Sequence, residues 1–324
     1  MLYIFRQSIF SHSYILITKQ LIYAKKLSIL ISISAITIYL IIATNFVSTV
    51  VAQKEDDDDS YHDNSSIKKI LYPNNGNNTL DKFGIKKIYP TSEGGREWFV
   101  NMNNPKNDSI FSITSNENIS RQSDGSWRIA ASKVRMNVNT PVGEVPWKNV
   151  EITGYAKIMS LLSPNNTDLS WYARGGRHNS YNPCEGTAVK GIIDMNSTVG
   201  WEKEIWHTGG DTNTLSKTKV ADSIIDKWIG LKTVMYNIDN DTAVKMETFL
   251  DKQNTNNWTK VTDLIDNGGW YATSTDKEFY SAGCNKPKDY IVTNPGSIVT
   301  FRSDNIVWDF KNLSVREIKS CLTC

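Results

Sequence analysis

The sequence predicts an all-β protein: an antiparallel β-sandwich preceded by an N-terminal hydrophobic helix. From about residue 91 to 319, short apolar runs are broken about every 8 to 15 residues by Gly, Pro, Asn or Asp. Within Val244–Leu250, apolar and charged side chains alternate, as in a strand with one face in the core. No long amphipathic helical pattern interrupts these runs, so helical crossovers of a parallel sheet are not expected.

An uncharged run of 26 residues, 27–52, lies near the N-terminus. Lys25 and Lys26 precede it and acidic residues follow, a charge order that places the rest of the chain outside the cell. The run is long enough to span a bilayer, and Val50 and Ala52 also fit a small-residue cleavage signal. Residues 1–52 are therefore expected to be a signal peptide or a membrane anchor. The protein is then extracellular, either secreted or held on the outer face of the cell membrane.

The rest of the chain divides by composition. Residues 53–90 are acidic and then rich in Asn, which predicts a disordered linker. Residues 91–319 are expected to form the β-sandwich domain, and residues 320–324 a short CxxC tail. The formal net charge of +2 gives no reason to expect a nucleic-acid partner.

Four cysteines suit an exported protein. Cys184 and Cys284 are predicted to form a disulfide that clamps two loops. Cys321 and Cys324 form either a tail disulfide or two free thiols. Nine Asn-x-Ser/Thr sequons also fit a glycoprotein: Asn64, Asn77, Asn107, Asn118, Asn165, Asn196, Asn240, Asn257 and Asn312.

The candidate strands follow one another along the domain. In chain order they are REWFVNM, SIFSI, SWRIAASKVRMNV, NVEITGYAKIM, LSWYAR, TAVKGII, WEKEIW, KWIGLKTVMYNI, AVKMETFL, WTKVTDLI, SIVTFRS and KNLSVREI. DSIIDKWIGLK comes nearest to a helical pattern, but residues 227–238 fit a strand better. About a dozen strands in about 230 residues indicate a sandwich or a barrel.

The closing stretch FRSDNIVWDFKNLSVREI is typical of the last two core strands of a sandwich. With the strand number and size, it makes residues 91–319 resemble the concanavalin A-like lectin/glucanase jelly rolls, especially their alginate-lyase-like branch of polysaccharide lyases. The resemblance implies a jelly roll whose concave sheet forms a groove for a sugar polymer. Lyases of this kind use an Arg, a Gln or Asn, a His and a Tyr. Their Arg-x-Glu-x-Arg and Gln-x-His motifs are not intact here, since KEIWH has Ile205 at the Gln position.

The stretch Leu169–Gly210 concentrates the side chains able to do chemistry. Strand alternation sends Tyr172 and Arg174 into the groove. For β-elimination on a uronic acid, a cation neutralises the carboxylate while His or Tyr moves the proton. The candidate catalytic residues are His207, Tyr236 and Arg174. The candidate substrate-binding residues are Tyr172, Arg177, His178, Lys190, Lys203, Glu204, Trp206 and Lys232.

Several of these residues also fit purely structural roles. His207 is suited to ending a strand, and Trp206 to packing in the core. Glu202 and Glu204 lie two apart on one strand face, a spacing conceivable for a glycosidase, but the third acid of the glycosidase motif is missing. Asp251, Asn254 and Asn256 offer oxygen ligands for calcium in a tight loop, although an Asn-rich hairpin explains the same sequence.

These observations favour an extracellular protein that binds a polysaccharide or a cell-surface glycan in a concave groove. The alternative is a polysaccharide lyase that acts on a uronic-acid polymer; a glycoside hydrolase and a structural surface domain are less favoured. No cofactor is required, and calcium is the ion that the sequence suggests. If the N-terminal run is not cleaved, the membrane is a second partner.

Overall fold

The computed structural model describes residues 79–114, 119–178 and 181–319. The predicted N-terminal hydrophobic helix, most of the linker, and Cys321 and Cys324 lie outside these residues. Among the residues described, no helix has the length and apolar character needed to cross a membrane.

The described chain is almost entirely antiparallel β-structure, which confirms the predicted fold class. Its elements are β1 (Glu97–Phe99), β2 (Phe111–Ile113), β3 (Ser120–Arg121), β4 (Trp127–Asn139), β5 (Val150–Leu161), β6 (Asp168–Gly175), β7 (Ala188–Asp194), β8 (Thr198–Glu204), β9 (Leu215–Lys219), β10 (Trp228–Ile238), β11 (Ala243–Asp251), β12 (Thr259–Asp266), α1 (Asp276–Ser281) and β13 (Ile298–Glu317). Residues 227–238 form a strand, as expected. The short helix α1 was not predicted.

The last strand, β13, is shared by two sheets. The first sheet has the order β12, β11, β10, β5 and then residues 306–317 of β13. The second sheet has the order β9, β8, β7, β6 and then residues 298–304 of β13. On its other edge β13 pairs with β4 and, at its end, with β1.

The closing stretch was expected to form two strands, but it forms one strand of 20 residues. The strand is irregular at Asn305, which has a φ of 52° and is skipped in the pairing with β4. Such an irregularity bends a strand without ending it. One continuous strand therefore serves both sheets.

The two sheets pack face to face around the hydrophobic core. A Cβ atom on Gly154 of β5 would lie 2.5 Å from Leu313 Cδ2 and 2.9 Å from Cη2 of Trp171 in the opposite sheet. Only glycine therefore allows this close approach. Trp171 and Trp308 are fully buried in this core. At one edge of the sandwich, the Thr262 hydroxyl donates to the Ser216 carbonyl at 2.7 Å and links β12 to β9.

Residues 79–92, called here the N-terminal segment, cover the outer face of the first sheet. Ile88 and Tyr89 pack on Val234, Tyr236 and Phe249. The Glu151 carboxylate accepts hydrogen bonds from the backbone N–H groups of Ile88, at 3.1 Å, and Tyr89, at 3.3 Å. Most of this segment belongs to the stretch expected to be a linker, and here it packs on the domain. Within the part of the chain that the structure describes, no comparable segment packs on the outer face of the second sheet.

Candidate functional site

The outer face of the second sheet presents two rows of mostly polar side chains. Strand pairing aligns one residue from each of β4, β13, β6, β7 and β8 in a row, because directly paired residues point to the same face. The first row is Asn137, Thr300, Tyr172, Lys190 and Glu202. The second row is Arg135, Arg302, Ser170, Ile192 and Gly200.

Two arginines lie directly opposite each other in the second row. Arg135 on β4 pairs with Arg302 on β13. Arg302 Nε lies 2.5 Å from Asp304 Oδ2, in an ion pair. Within the described chain, Arg135 Nε is buried and has no hydrogen-bond partner, and no carboxylate lies within ion-pair distance of its guanidinium. The pair therefore places positive charge on this face, with donors suited to an anionic ligand.

One end of the same face holds a cluster of two histidines and one carboxylate. Glu204 Oε1 lies 3.9 Å from His178 Nε2 and 3.8 Å from His207 Nδ1. The two imidazole rings meet edge to face with their centres 4.2 Å apart. Glu204 is only 7% exposed, whereas both histidine side chains are about one-third exposed. This His178–Glu204–His207 set is called the histidine cluster.

The chain positions His207 by ending β8 at Glu204 and turning directly afterwards. Continued alternation would have put His207 on the Lys203 side, but the turn returns it to the Glu204 side. The His207 N–H donates to the Glu185 carbonyl at 2.7 Å, which fixes the turn against the β6–β7 connection. The disulfide between Cys184 and Cys284, as predicted, then ties that connection to the segment after α1.

Residues 205–214 also pack on residues 270–284. Trp206 stacks on Phe279 of α1, with ring centres 4.1 Å apart. The Thr273 N–H donates to the Asp211 carbonyl at 2.8 Å. Residues 181–187, 205–214 and 270–284 together are called the cap. Its hydrogen bonds, ring contact and disulfide hold the histidine cluster from three segments of the chain.

Charges around the cluster are unequally compensated. Lys190 Nζ lies 2.8 Å from Glu204 Oε2 and 3.5 Å from Asp211 Oδ1. Burial lowers the pKa of Lys190, but these carboxylates outweigh burial and raise it. Burial also lowers the pKa of His178, and the nearby charge of Arg135 lowers it further. At neutral pH, Lys190 is therefore charged and His178 neutral.

At the far end of the face, Asp168 has a strongly shifted pKa. Burial raises it from 3.8 to about 6, opposed by the hydrogen bond from the Ser170 hydroxyl. A carboxyl whose pKa is raised on folding binds its proton more tightly in the folded state. The contribution of Asp168 to the free energy of unfolding is therefore fully present below the unfolded-state pKa of 3.8 and is lost as pH rises through about 6.

We expect wild-type protein to lose about 1 kcal/mol of unfolding free energy between pH 5 and pH 8 through Asp168. Asp168→Asn should not show this loss, because an amide does not ionise. The measurement is urea denaturation of both proteins across this pH range. Parallel pH profiles for the two proteins would contradict the assignment.

The structure does not bring the three candidate catalytic residues together. Arg174 is 2% exposed, and its guanidinium donates to Asn237 Oδ1 and to the Val292 carbonyl, at 2.8 Å for the latter. Tyr236 lies on the outer face of the first sheet, with its hydroxyl 3.4 Å from that of Tyr89. His207 lies in the histidine cluster of the second sheet. A lyase site built on these three residues would require them to converge on one substrate atom, and they do not.

Arg174 departs from the alternation that predicted it in the groove because its backbone has a φ of 60°. A left-handed residue at the end of a strand reverses the direction of its side chain relative to regular alternation. Tyr172, two residues earlier, is not left-handed and lies half-buried on the outer face of the second sheet.

Five of the eight candidate substrate-binding residues lie on or beside the outer face of the second sheet, called here the open face. They are Tyr172, Arg177, His178, Lys190 and Glu204. The other three are buried in structural contacts. Lys203 Nζ lies 2.8 Å from Asp266 Oδ2, Lys232 Nζ lies 2.7 Å from Glu151 Oε1 under the N-terminal segment, and Trp206 is 1% exposed against Phe279.

The carboxylate pair and the calcium candidates have identifiable partners. Glu202 accepts from the Thr214 hydroxyl at 2.8 Å, and Glu204 belongs to the histidine cluster. Both oxygens of Asp251 accept hydrogen bonds from the backbone of its own hairpin, including Asn256 N–H at 2.6 Å. Asn256 Oδ1 accepts from Lys86 N–H and from the Trp258 indole. These oxygens shape the β11–β12 hairpin, so the calcium site stays an untested prediction.

Sequence reasoning missed Arg135, Asn137, Arg302 and Asp211 on this face. Arg135 and Asn137 alternate with the buried Val134, Met136 and Val138 in KVRMNV, a pattern that marks them as outward-facing. No local pattern shows that this strand lies beside residues 298–304, because the two are more than 150 residues apart in the chain. Asp211 enters through the turn after β8.

A cavity of about 630 Å³ opens elsewhere, between the N-terminal segment and the β1–β2 connection. It includes Lys82 and Asp108 among its lining residues. Asp108 accepts a hydrogen bond from the Trp98 indole at 2.8 Å. The described residues that line this cavity include one acid, Asp108, and no histidine, so we do not consider the cavity a reactive site.

The fold and the open face define an antiparallel β-sandwich with a polar face on its second sheet. No family model and no curated protein sequence matches the chain. Solved structures similar to it include peanut lectin with a 9mer peptide, at 8% identity and a TM-score of 0.38, covering 70% of this chain and 99% of the lectin.

Two other lectin structures are similar in the same way. The VIP36 exoplasmic/lumenal domain in its Ca²⁺/Man3GlcNAc-bound form has 9% identity and a TM-score of 0.41, covering 67% of this chain and 89% of that one. Winged bean acidic lectin with methyl-α-D-galactose has 6% identity and a TM-score of 0.40, covering 70% and 100%. At such low identities and scores, we transfer no ligand or residue role from these proteins.

Proposed function

We propose that the protein binds an acidic polysaccharide outside the cell, on the open face of its second sheet. The observation that carries this proposal is the pairing of Arg135 with Arg302 on neighbouring strands of the outer face of the second sheet. A guanidinium binds carboxylate or sulfate groups through paired N–H donors. The incompletely satisfied Arg135 has donors available for such a group.

Aromatic side chains on this face and on the cap suit the rest of a sugar ring. Tyr172 lies in the row next to the arginines, and on the cap Tyr271 and Tyr280 are more than half exposed. A tyrosine ring offers an apolar surface for the C–H face of a sugar and a hydroxyl for its polar edge. The face therefore combines charge recognition with ring contacts.

The proposed location is supported by two independent features. The Cys184–Cys284 disulfide is typical of chains that fold in an oxidising compartment. The apolar run at residues 27–52, with lysines before it and acids after it, fits export of everything that follows.

We expect the purified chain to bind a polyuronate more tightly than a neutral glucan, with an affinity that falls as salt is raised. Arg135→Gln and Arg302→Gln should each weaken binding at least about tenfold, because each removes a charge-assisted contact. The measurement is calorimetric titration with both polymers. Arg121→Gln, which removes the same charge from an exposed position on β3, is the matched control.

Equal binding of acidic and neutral polymers would argue against the proposal, as would the absence of any binding. So would an equal loss in the Arg121→Gln control, because the effect would then reflect overall charge and not the arginine pair.

Cleavage by β-elimination is the second candidate function, and one observation favours it. The outer face of the second sheet carries the residue types expected for a jelly-roll lyase: Arg135, Asn137 and Tyr172 in its two rows, and His178 within electrostatic range of Arg135. In this arrangement Arg135 neutralises the uronate carboxylate, and Tyr172 or His178 moves the proton.

The same polyuronate samples test this second function. An increase in ultraviolet absorbance from an unsaturated product that Tyr172→Phe abolishes, with binding retained, would establish a lyase. Binding without product would leave the protein as a glycan-binding module.

A further inference from the structure

The three potential ligand atoms of the histidine cluster lie near one another without direct hydrogen bonds between the carboxylate and the imidazoles. One potential ligand atom from each of His178, Glu204 and His207 lies within 4.8 Å of the other two. The separations of 3.8 and 3.9 Å from Glu204 Oε1 are too long for direct hydrogen bonds. Ligands about 2.0–2.2 Å from a tetrahedral zinc ion lie about 3.4 Å from one another. Small rotations of the partly exposed imidazoles would bring the three atoms to that spacing.

The carboxylate of the cluster is already oriented by its surroundings. Lys190 binds Glu204 Oε2 at 2.8 Å, which leaves Oε1 directed at the two histidines. An outer partner of this kind is typical of metal-binding carboxylates, because it fixes which oxygen faces the ion. Glu204 is buried, so this orientation is not averaged by solvent.

The backbone next to the cluster leaves no spare room. Gly186 has a φ of 91°, and a Cβ atom there would lie 3.0 Å from Glu204 Oε1, 3.3 Å from His207 Cβ and 3.4 Å from His178 Cδ2. Only glycine fits this conformation and this space together. The Cys184–Cys284 disulfide holds the same connection in place two residues before Gly186.

The donor set selects the class of metal. Two imidazole nitrogens and one carboxylate oxygen suit zinc and its neighbours in the first transition row, whereas calcium and magnesium prefer oxygen ligands alone. Around the cluster, the carboxylates of Glu204 and Asp211 outnumber the ammonium of Lys190 by one charge. Arg135 and Arg302 lie near enough to lower the pKa of His178, and their positive charges oppose the binding of a cation. The affinity for a metal ion must therefore come from direct ligation.

From this geometry we propose that His178, Glu204 and His207 form a binding site for one divalent transition-metal ion of the zinc class. Three protein ligands leave a fourth coordination position for water or an exogenous ligand. Asp211, which lies 3.5 Å from Lys190 Nζ, is a further acidic side chain beside the cluster. The proposal does not depend on polysaccharide binding.

The test is calorimetric titration of the chelator-treated, purified chain with Zn²⁺, and separately with Ca²⁺, in the absence of any sugar. All titrations use the His62→Ala variant as the common background. His62 lies among acidic residues of the linker and could form a second zinc site with them. Without further substitutions, this variant is also the matched control. In this background we expect one Zn²⁺ per chain, and any Ca²⁺ binding should be the same with and without substitutions in the cluster. Adding His178→Ala or His207→Ala should weaken Zn²⁺ binding about 100-fold or more.

Co²⁺ provides a second readout that requires no substitution in the cluster. Bound at a four-coordinate site with nitrogen and oxygen ligands, it should absorb visible light far more strongly than the aqueous ion. The proposal would be overturned if the His62→Ala chain bound no Zn²⁺, if Zn²⁺ binding survived both histidine substitutions, or if Co²⁺ kept its aqueous spectrum. Zn²⁺ binding without polyuronate binding would contradict only the proposed function. Polyuronate binding without Zn²⁺ binding would contradict only the metal site.

Discussion

Glu151→Ala is expected to lower the free energy of unfolding by about 3–5 kcal/mol, because it removes the carboxylate that pairs with two buried cations. Glu151 is 0% exposed, and its carboxylate lies 2.7 Å from Lys232 Nζ and 2.6 Å from Arg316 Nη2. It also accepts the two backbone hydrogen bonds that fasten the N-terminal segment. The measurement is denaturant unfolding of wild type and variant at neutral pH.

Asp263→Ala is the matched control for this variant. It removes a carboxylate from the same sheet, where Asp263 is 43% exposed and pairs with Lys245 at 2.5 Å. An exposed pair of this kind contributes at most about 1 kcal/mol. Similar losses in the two variants would show that burial does not make the Glu151 group special.

The same group predicts sensitivity to acid. Burial raises the pKa of Glu151, but the charges of Lys232 and Arg316 outweigh burial and lower it from 4.5 to about 2. A carboxyl with a lowered folded-state pKa stabilises the protein above its unfolded-state pKa. This stabilisation is therefore lost as pH falls from about 4.5 through about 2.

Replacing both Cys184 and Cys284 by Ser is expected to lower the free energy of unfolding by about 4 kcal/mol. The disulfide closes a loop with a sequence separation of 100 residues, and in the chain-entropy model long loops give large stabilisation. The loss should be accompanied by weaker ordering of the cap, which can be followed by amide hydrogen exchange at residues 181–187 and 270–284.

Replacing both Cys321 and Cys324 by Ser is the control, since it changes two cysteines without opening this loop. We expect little change in stability from it. Equal losses in the two double variants, or no loss in either, would show that the Cys184–Cys284 bond does not carry the stabilisation.

The sequence predicted the fold class well because strand signals are local. Alternation in Val244–Leu250 and the frequent turn residues reflect the pleat and the chain reversals of individual hairpins. The stretch Leu169–Gly210 also contains His178, Lys190, Glu204 and His207, so the histidine cluster lies where reactive side chains are concentrated. What local patterns could not give is the pairing of β4 with β13, which places Arg135 opposite Arg302.

The remaining differences have equally physical causes. Arg174 does not lie in the predicted groove, because its own left-handed backbone conformation reverses the direction of its side chain. Residues 79–90 looked like linker by composition, yet a few apolar side chains suffice to dock the segment when the sheet beneath offers Glu151 as an acceptor for its backbone. That acceptor is more than 60 residues away in the chain, so no window of the N-terminal sequence contains it.

The position of β13 in both sheets has a consequence for how the chain acquires its structure. This strand follows all the others in the chain, yet it pairs with β1, β4, β5 and β6. During synthesis from the N-terminus, neither sheet can be completed before residues 298–317 are available. Pairings this distant slow folding and leave strand edges exposed in the meantime. A nascent chain of this protein therefore needs protection from aggregation until residues 298–317 have been made.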